Sequence, residues 1–165
     1  MGNIDLSGTH LPVLSKLLNV EKGSILELGA GYNSTPLLYW TSKAEDRFFR
    51  SFENYREWCD KMPHMTTYVD NWENIPVVDS TFWGIALIDH RPALRRHVDA
   101  IRLKNNARFV VIHDSESEID RFYCYRRVYP HFKYRFDYTL LKPNTTVLSN
   151  FTDPNIFFPF DPSTP

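Results

Sequence analysis

Five acidic residues, Glu27, Glu53, Asp70, Asp89 and Asp114, each fall near the end of a short run of apolar, aromatic or β-branched residues. A carboxylate is a pure acceptor with two oxygens, suited to hydroxyl and amino groups. Two carboxylates together hold a hard cation through oxygen. The first acid lies in "SILELGAGYNSTPLLYW", residues 24–40. There Gly29 and Gly31 allow a tight turn or close approach to a ligand. Ser34 or Thr35 can cap a helix, and Pro36 fits its first turn. Strand, glycine loop and helix N-terminus in succession make a ligand-binding loop. Two histidines flank the later acids, His90 in "IDH" and His113 in "IHD". Either could act as a general base, and either also reads as a hydrogen-bonded structural residue. His113 and Ile112 point to opposite faces of one strand, which allows burial of His113 under a helix. His90 lies past its strand and is the better-placed base. Arg91, Arg95 and Arg96 form a basic cluster, either a site for an acidic substrate or a solvated helix face.

These residues need elements to hold them. Leu11, Leu14, Leu17 and Leu18 share one face of a helix over 10–19. Strands are expected at 24–28, at 47–54 ending in Glu53, and at 65–71. "FWGIALID" and "RFVVIHD" are near-continuous apolar runs, the pattern of strands buried on both faces. Helices are expected from about Thr35 to Lys43 and over 55–62, 92–106 and 117–132. "YRFDYTLL" and "TTVLSNF" flank Lys142-Pro143-Asn144 as a hairpin. Alternating strands and helices predict an α/β fold. Its mostly parallel sheet carries helices on both faces and a C-terminal antiparallel hairpin. Ligands of such sheets sit beyond the carboxyl ends of the strands. The tail contains "NIFFPF", whose apolar side chains are expected to dock on the domain.

The 165 residues suit one domain spanning 1–165. A net charge of -1 supplies no bulk attraction to nucleic acid or acidic membrane. No apolar run approaches ~20 residues, so no membrane span is expected. Cys59 and Cys124 lie far apart and lack metal-ligand spacing. No basic stretch followed by an apolar run opens the sequence, and a cytoplasmic location is expected.

A dinucleotide fingerprint would be G-x-G-x-x-G, and Ser34 stands at its third glycine. Glu27 is awkward beside a pyrophosphate, which disfavours an NAD-dependent oxidoreductase. At "ELGAG" the sequence resembles the class I, Rossmann-like S-adenosylmethionine-dependent methyltransferases. The likeness runs from roughly Gly23 to Asn150 through strand order and acid placement. The resemblance implies that Glu27 lies near the methionine amino group. It implies that Gly29, Gly31, Ser34 and Thr35 form the cofactor loop and that Glu53 takes the ribose hydroxyls. Asp70, Asn71 and Trp72 would meet the adenine, and Asp89 and His90 would lie next to the reacting methyl. Tyr32 could face the sulfonium.

The ends of "ALIDH" and "VVIHDSE" also look like those of catechol-type O-methyltransferases, which implies Mg²⁺ shared by Asp89 and Asp114. Ser115 departs from the Asn usual there, and both acids also read as helix caps. The expected reaction is methyl transfer to oxygen or nitrogen of a small-molecule acceptor, with Asp89, His90 or His113 as catalytic candidates. No Asn-Pro-Pro-Tyr-type motif occurs, and no nucleic-acid partner is expected. A homodimer, in which a second subunit completes the pocket, is one arrangement the small chain allows. The rival reading is a module that binds the cofactor and catalyses nothing.

Overall fold

Helix α1 covers Leu11–Val20 and strand β1 Ile25–Leu28; α2 is Ser34–Ala44, β2 Phe49–Glu53, α3 Arg56–Lys61 and β3 Thr67–Tyr68. Helix α4, Pro76–Ser80, precedes β4, Trp83–Ile88, and α5, Arg96–Arg102, precedes β5, Ala107–His113. Helix α6, Asp120–Tyr123, leads to the hairpin of β6, Tyr134–Tyr138, and β7, Thr145–Ser149. This computed structural model describes residues 8–158.

The seven strands form one sheet in the order β3-β2-β1-β4-β5-β7-β6. The first five in that order are parallel, and β7 runs antiparallel to both β5 and β6. Strand period decides which core each side chain enters. Leu26, Leu28, Ala86, Ile88, Val110 and Ile112 face a layer containing Trp72, Val78, Tyr125 and Val128. Ile25, Ile85, Leu87, Phe109 and Val111 face Leu14 and Leu17 of α1 and Leu38 of α2. A fully buried Leu, Ile or Phe contributes about 1.5–3 kcal/mol, so both faces of β4 and β5 anchor the domain.

The structure corrects several expected elements. The strand expected over 65–71 shortens to Thr67–Tyr68 at the sheet edge, and α4 follows where no element was expected. The helix expected over 117–132 breaks at Cys124, which is left-handed at φ 57°. Tyr123 donates its hydroxyl to Asp114 Oδ2 at 2.9 Å, and Tyr125 donates to the His113 carbonyl at 2.9 Å. Residues two apart on a helix do not share a face. The turn at Cys124 brings both rings together, stacked at 5.3 Å.

The tail docks in part: Phe157 and Phe158 pack on the sheet, whereas Ile156, expected to dock with them, is 63% exposed. Phe158 stacks on Phe136 at 4.3 Å and Phe157 meets Phe109 edge-on at 6.0 Å. Phe160 lies outside the described residues. Among the described residues no helix is long and apolar enough to cross a membrane.

Candidate functional site

Strand register brings the chemistry together. Ile88 pairs with Ile112, so the next residues, Asp89 and His113, leave β4 and β5 side by side on the same face. Their side chains line a cleft of about 430 Å³ at the carboxyl ends of the parallel strands, with Gly31, Ser34, Glu53 and Asp114 also on its walls. Two other depressions, of about 540 and 550 Å³, hold none of the five strand-end acids. Asp114 is left-handed at φ 57°, and its Oδ1 lies 3.6 Å from His113 Nδ1.

Between the two carboxylates lies Arg96, from the first turn of α5. Its guanidinium is 2.9 Å from Asp89 Oδ1 and 2.8 Å from Asp114 Oδ2, and its Nε donates to the His90 carbonyl at 2.7 Å. The expected cation between these acids is therefore the protein's own. The expectation of shared Mg²⁺ is corrected, because a guanidinium already occupies that gap and pairs with both acids. Burial works against the charged form of Asp89, but His113 and Arg96 outweigh it and hold the carboxyl below its usual range. The sequence showed Arg96 only as part of a basic cluster.

His113 is buried and bound on both sides. Nδ1 lies 3.4 Å from Asp89 Oδ2, and Nε2 lies 2.9 Å from Thr9 Oγ1. Burial pushes His113 down, but Asp89 and Asp114 outweigh it and raise it above its ordinary value. His10, just before α1, packs edge-on against it at 4.7 Å. Burial, helped by His113, pushes His10 down to about 4. Sequence reasoning missed His10. Its only signal was a polar residue opening an amphipathic helix, and nothing local tied it to residues over 100 positions away.

The glycine loop is held from below and from the side. Gly29 sits at φ 99°, and a Cβ there would lie 2.5 Å from the Asp89 carbonyl carbon and the His90 nitrogen. Its glycine serves strand contact rather than ligand approach. Ala30 N–H donates to Glu53 Oε2 at 2.9 Å, and Tyr55 N–H donates to Oε1 at 2.7 Å. Gly31 N–H donates to Thr35 Oγ1 at 2.9 Å, and that hydroxyl donates to Glu27 Oε2 at 2.8 Å. Ser51 donates to the same Glu27 oxygen at 2.5 Å. Glu27 and Thr35 are thus braces under the loop, fully buried and off the cleft wall.

Burial pushes Glu27 up to about 7, against the opposing pull of the Ser34, Ser51 and Thr35 hydroxyls. The folded protein keeps this proton to about pH 7, whereas an ordinary glutamate releases it near 4.5. Stability from this group is therefore fully present below pH 4.5 and falls as pH rises toward 7. At about 1.4 kcal/mol per decade, roughly 3 kcal/mol is lost by alkaline pH. Glu27→Gln should flatten that decline, raising the melting temperature relative to wild type at pH 8 but not at pH 4. Parallel melting curves for the two proteins across that range would refute it.

Four further expected site residues lie off the cleft wall, and two of them, Asp70 and Asn71, are exposed. His90 Nε2 lies 3.0 Å from Asp99 Oδ2, and its ring stacks on Trp72 at 4.2 Å. The residue after Asp89 must point to the opposite face, and there α5 covers it. His90 as a catalytic residue is corrected on that ground. Trp72 is buried, donating Nε1–H to the Arg91 carbonyl at 2.7 Å, so its face is not free for an adenine. Asn71 Oδ1 accepts from the Glu73 and Asn74 backbones, closing its own turn, and Asp70 is exposed off the cleft wall. The aromatic wall comes instead from Tyr32 and Trp58, whose rings lie 4.6 Å apart.

The sequence matches no family model and no curated protein. The structure matches solved ones across nearly its whole length. Spermidine synthase from Thermotoga maritima is 14% identical, with TM-score 0.60, 96% of this chain and 64% of that one covered. A spermidine synthase in complex with the transition-state analogue AdoDATO is 12% identical, with TM-score 0.58, 93% and 62% covered. The human Mettl16 catalytic domain in complex with the MAT2A 3'UTR hairpin 1 is 8% identical, with TM-score 0.55, 93% and 72% covered. The chain has the class I methyltransferase fold. It spans somewhat under two thirds of the spermidine synthases it matches. The Mettl16 complex overturns the expectation that nucleic acid is excluded as a partner. A protein of this fold engages an RNA hairpin, and the net charge and missing amine motif do not rule that out here.

Proposed function

We propose that this chain binds S-adenosylmethionine in the cleft and transfers its methyl group to an oxygen or nitrogen. The acceptor is a small molecule or a nucleic-acid base that reaches in from the open side. The observation that carries this reading is one cleft with two unlike walls. One wall has the glycine loop, Glu53 and the Tyr32–Trp58 pair, and the other has His10, Asp89 and His113. The residues fit the cofactor. Each Glu53 oxygen takes one backbone N–H and keeps a lone pair for a ribose hydroxyl. Tyr32 and Trp58 offer aromatic surface to the adenine or the sulfonium.

The cofactor supplies an electrophilic methyl carbon on a sulfonium. The protein's part is alignment and charge. Glu53 and the loop orient the donor from one side. The wall of His10, Asp89 and His113 meets the acceptor and manages the proton it gives up. Arg96 keeps Asp89 ionised and fixed in direction.

The test is binding first and turnover second. Wild type should bind S-adenosylhomocysteine by calorimetry, and Glu53→Ala should lose roughly 10- to 150-fold in affinity while melting as a folded protein. Labelled methyl should then appear on one member of a panel of phenols, amines and RNA hairpins. Absence of S-adenosylhomocysteine binding by wild type would overturn the reading. Binding with no transfer to any acceptor would favour the non-catalytic module.

A further inference from the structure

We propose that His10, Asp89 and His113 together bind one divalent transition-metal ion of the zinc class at the wall of the cleft. One ligand atom from each lies within 4.8 Å of the others. Tetrahedral bonds of about 2.0–2.1 Å need ligand atoms roughly 3.3 Å apart. His113 Nδ1 and Asp89 Oδ2 already stand at 3.4 Å, so only the His10 ring has to close in. Two imidazole nitrogens and one carboxylate oxygen suit zinc, cobalt or iron rather than magnesium.

The hydrogen bonds around His113 point to a missing cation. The Thr9 hydroxyl donates to the Pro143 carbonyl at 2.7 Å, and a carbonyl can only accept. The Thr9 oxygen must then accept from His113, which puts a hydrogen on Nε2 at 2.9 Å. The remaining nitrogen, Nδ1, faces the carboxylate oxygens of Asp89 and Asp114 at 3.4 and 3.6 Å. In a neutral ring this sets a lone pair against lone pairs. Something positive belongs between them, either a second proton or a metal. The outward bond to Thr9 is the kind that orients a metal-binding histidine.

His10 favours the metal. It is 2% exposed, and neither ring nitrogen has a hydrogen-bond partner among the described residues. A second proton on His113 would leave both nitrogens of His10 unsatisfied, whereas an ion would bind one of them. Arg96 does not block the site. It holds Asp89 through Oδ1 and leaves Oδ2 turned to His113. All three residues line the cleft, so an ion has an entry path and positions open to an acceptor atom. As a role in acceptor activation the site rests on the methyltransferase reading; as a metal site it does not.

Chelator-stripped protein should be titrated with Zn²⁺ and Co²⁺ by calorimetry, without cofactor. The expected result is one ion per chain and visible Co²⁺ d–d bands. His10→Ala and His113→Ala should each weaken binding by at least about 10-fold, and His131→Ala, an exposed histidine, should not. If the variants fail to fold, Zn²⁺-dependent ¹⁵N shifts of the His10 and His113 rings in wild type decide the matter. No ion bound by wild type, ring shifts confined to other histidines, or equal loss in His131→Ala would overturn the site. S-adenosylhomocysteine binding, measured separately, reports on the methyltransferase reading alone.

Discussion

Replacing Arg96 with Met should destabilise the protein by about 3 kcal/mol in urea denaturation at neutral pH. The guanidinium holds Asp89 and Asp114 at 2.9 and 2.8 Å and ties the end of β4 through the His90 carbonyl. Met fills much of the same space but leaves two carboxylates facing each other with no cation between them. Breaking a buried pair on one side typically costs 3–5 kcal/mol. The low end applies because the two acids are 24% and 18% exposed and water screens them in part. Adding Asp114→Asn should recover part of the loss, since one of the unpaired charges is then gone. A single variant within about 0.5 kcal/mol of wild type would show that the guanidinium does not hold this corner together.

Gly29→Ala should cost about 2–5 kcal/mol, a large share of the roughly 5–15 kcal/mol that holds a typical domain folded. Two penalties add. The backbone at φ 99° is one that side chains rarely adopt, and the new Cβ would meet the Asp89 and His90 backbone at 2.5 Å. Backbone cannot rotate aside as a side chain can, so the ends of β1 and β4 must separate. Gly31→Ala is the informative comparison. Its nearest obstacle is the Ser34 hydroxyl at 3.2 Å, which can turn away, so its cost should stay under about 1 kcal/mol. Thermal melting followed by circular dichroism separates the two. Equal melting temperatures would mean that the first glycine is not bound by the β4 contact.

Much of the architecture was legible from local pattern. The apolar runs of β1, β4 and β5, the glycine loop and the C-terminal hairpin stood out in the sequence because strand burial and tight turns leave local marks. So did the acids at strand ends, of which Glu53, Asp89 and Asp114 line the cleft. The irregular stretch over 117–132 was not legible. Its path follows where Tyr123 and Tyr125 find hydrogen-bond acceptors, on Asp114 just past β5 and on the His113 carbonyl, and helical propensity does not encode those acceptors.

Within the site, parity along one strand was available from sequence and would have separated Asp89 from His90. What no local pattern could supply was which distant groups meet. Arg96 reads like its neighbour Arg95, yet one bridges two cleft acids while the other pairs with Asp99 and Glu73. His10 reads as a helix start and becomes a wall of the cleft beside His113. Glu27 reads as a ligand-facing acid and is a buried brace under the loop. Residue type and spacing specify the strands, the turn and the stock of acids, bases and aromatics. The direction each side chain takes, and hence whether an acid meets a guanidinium, an imidazole or a ligand, depends on inter-strand register and helix placement. Those are settled by packing among residues far apart in the chain.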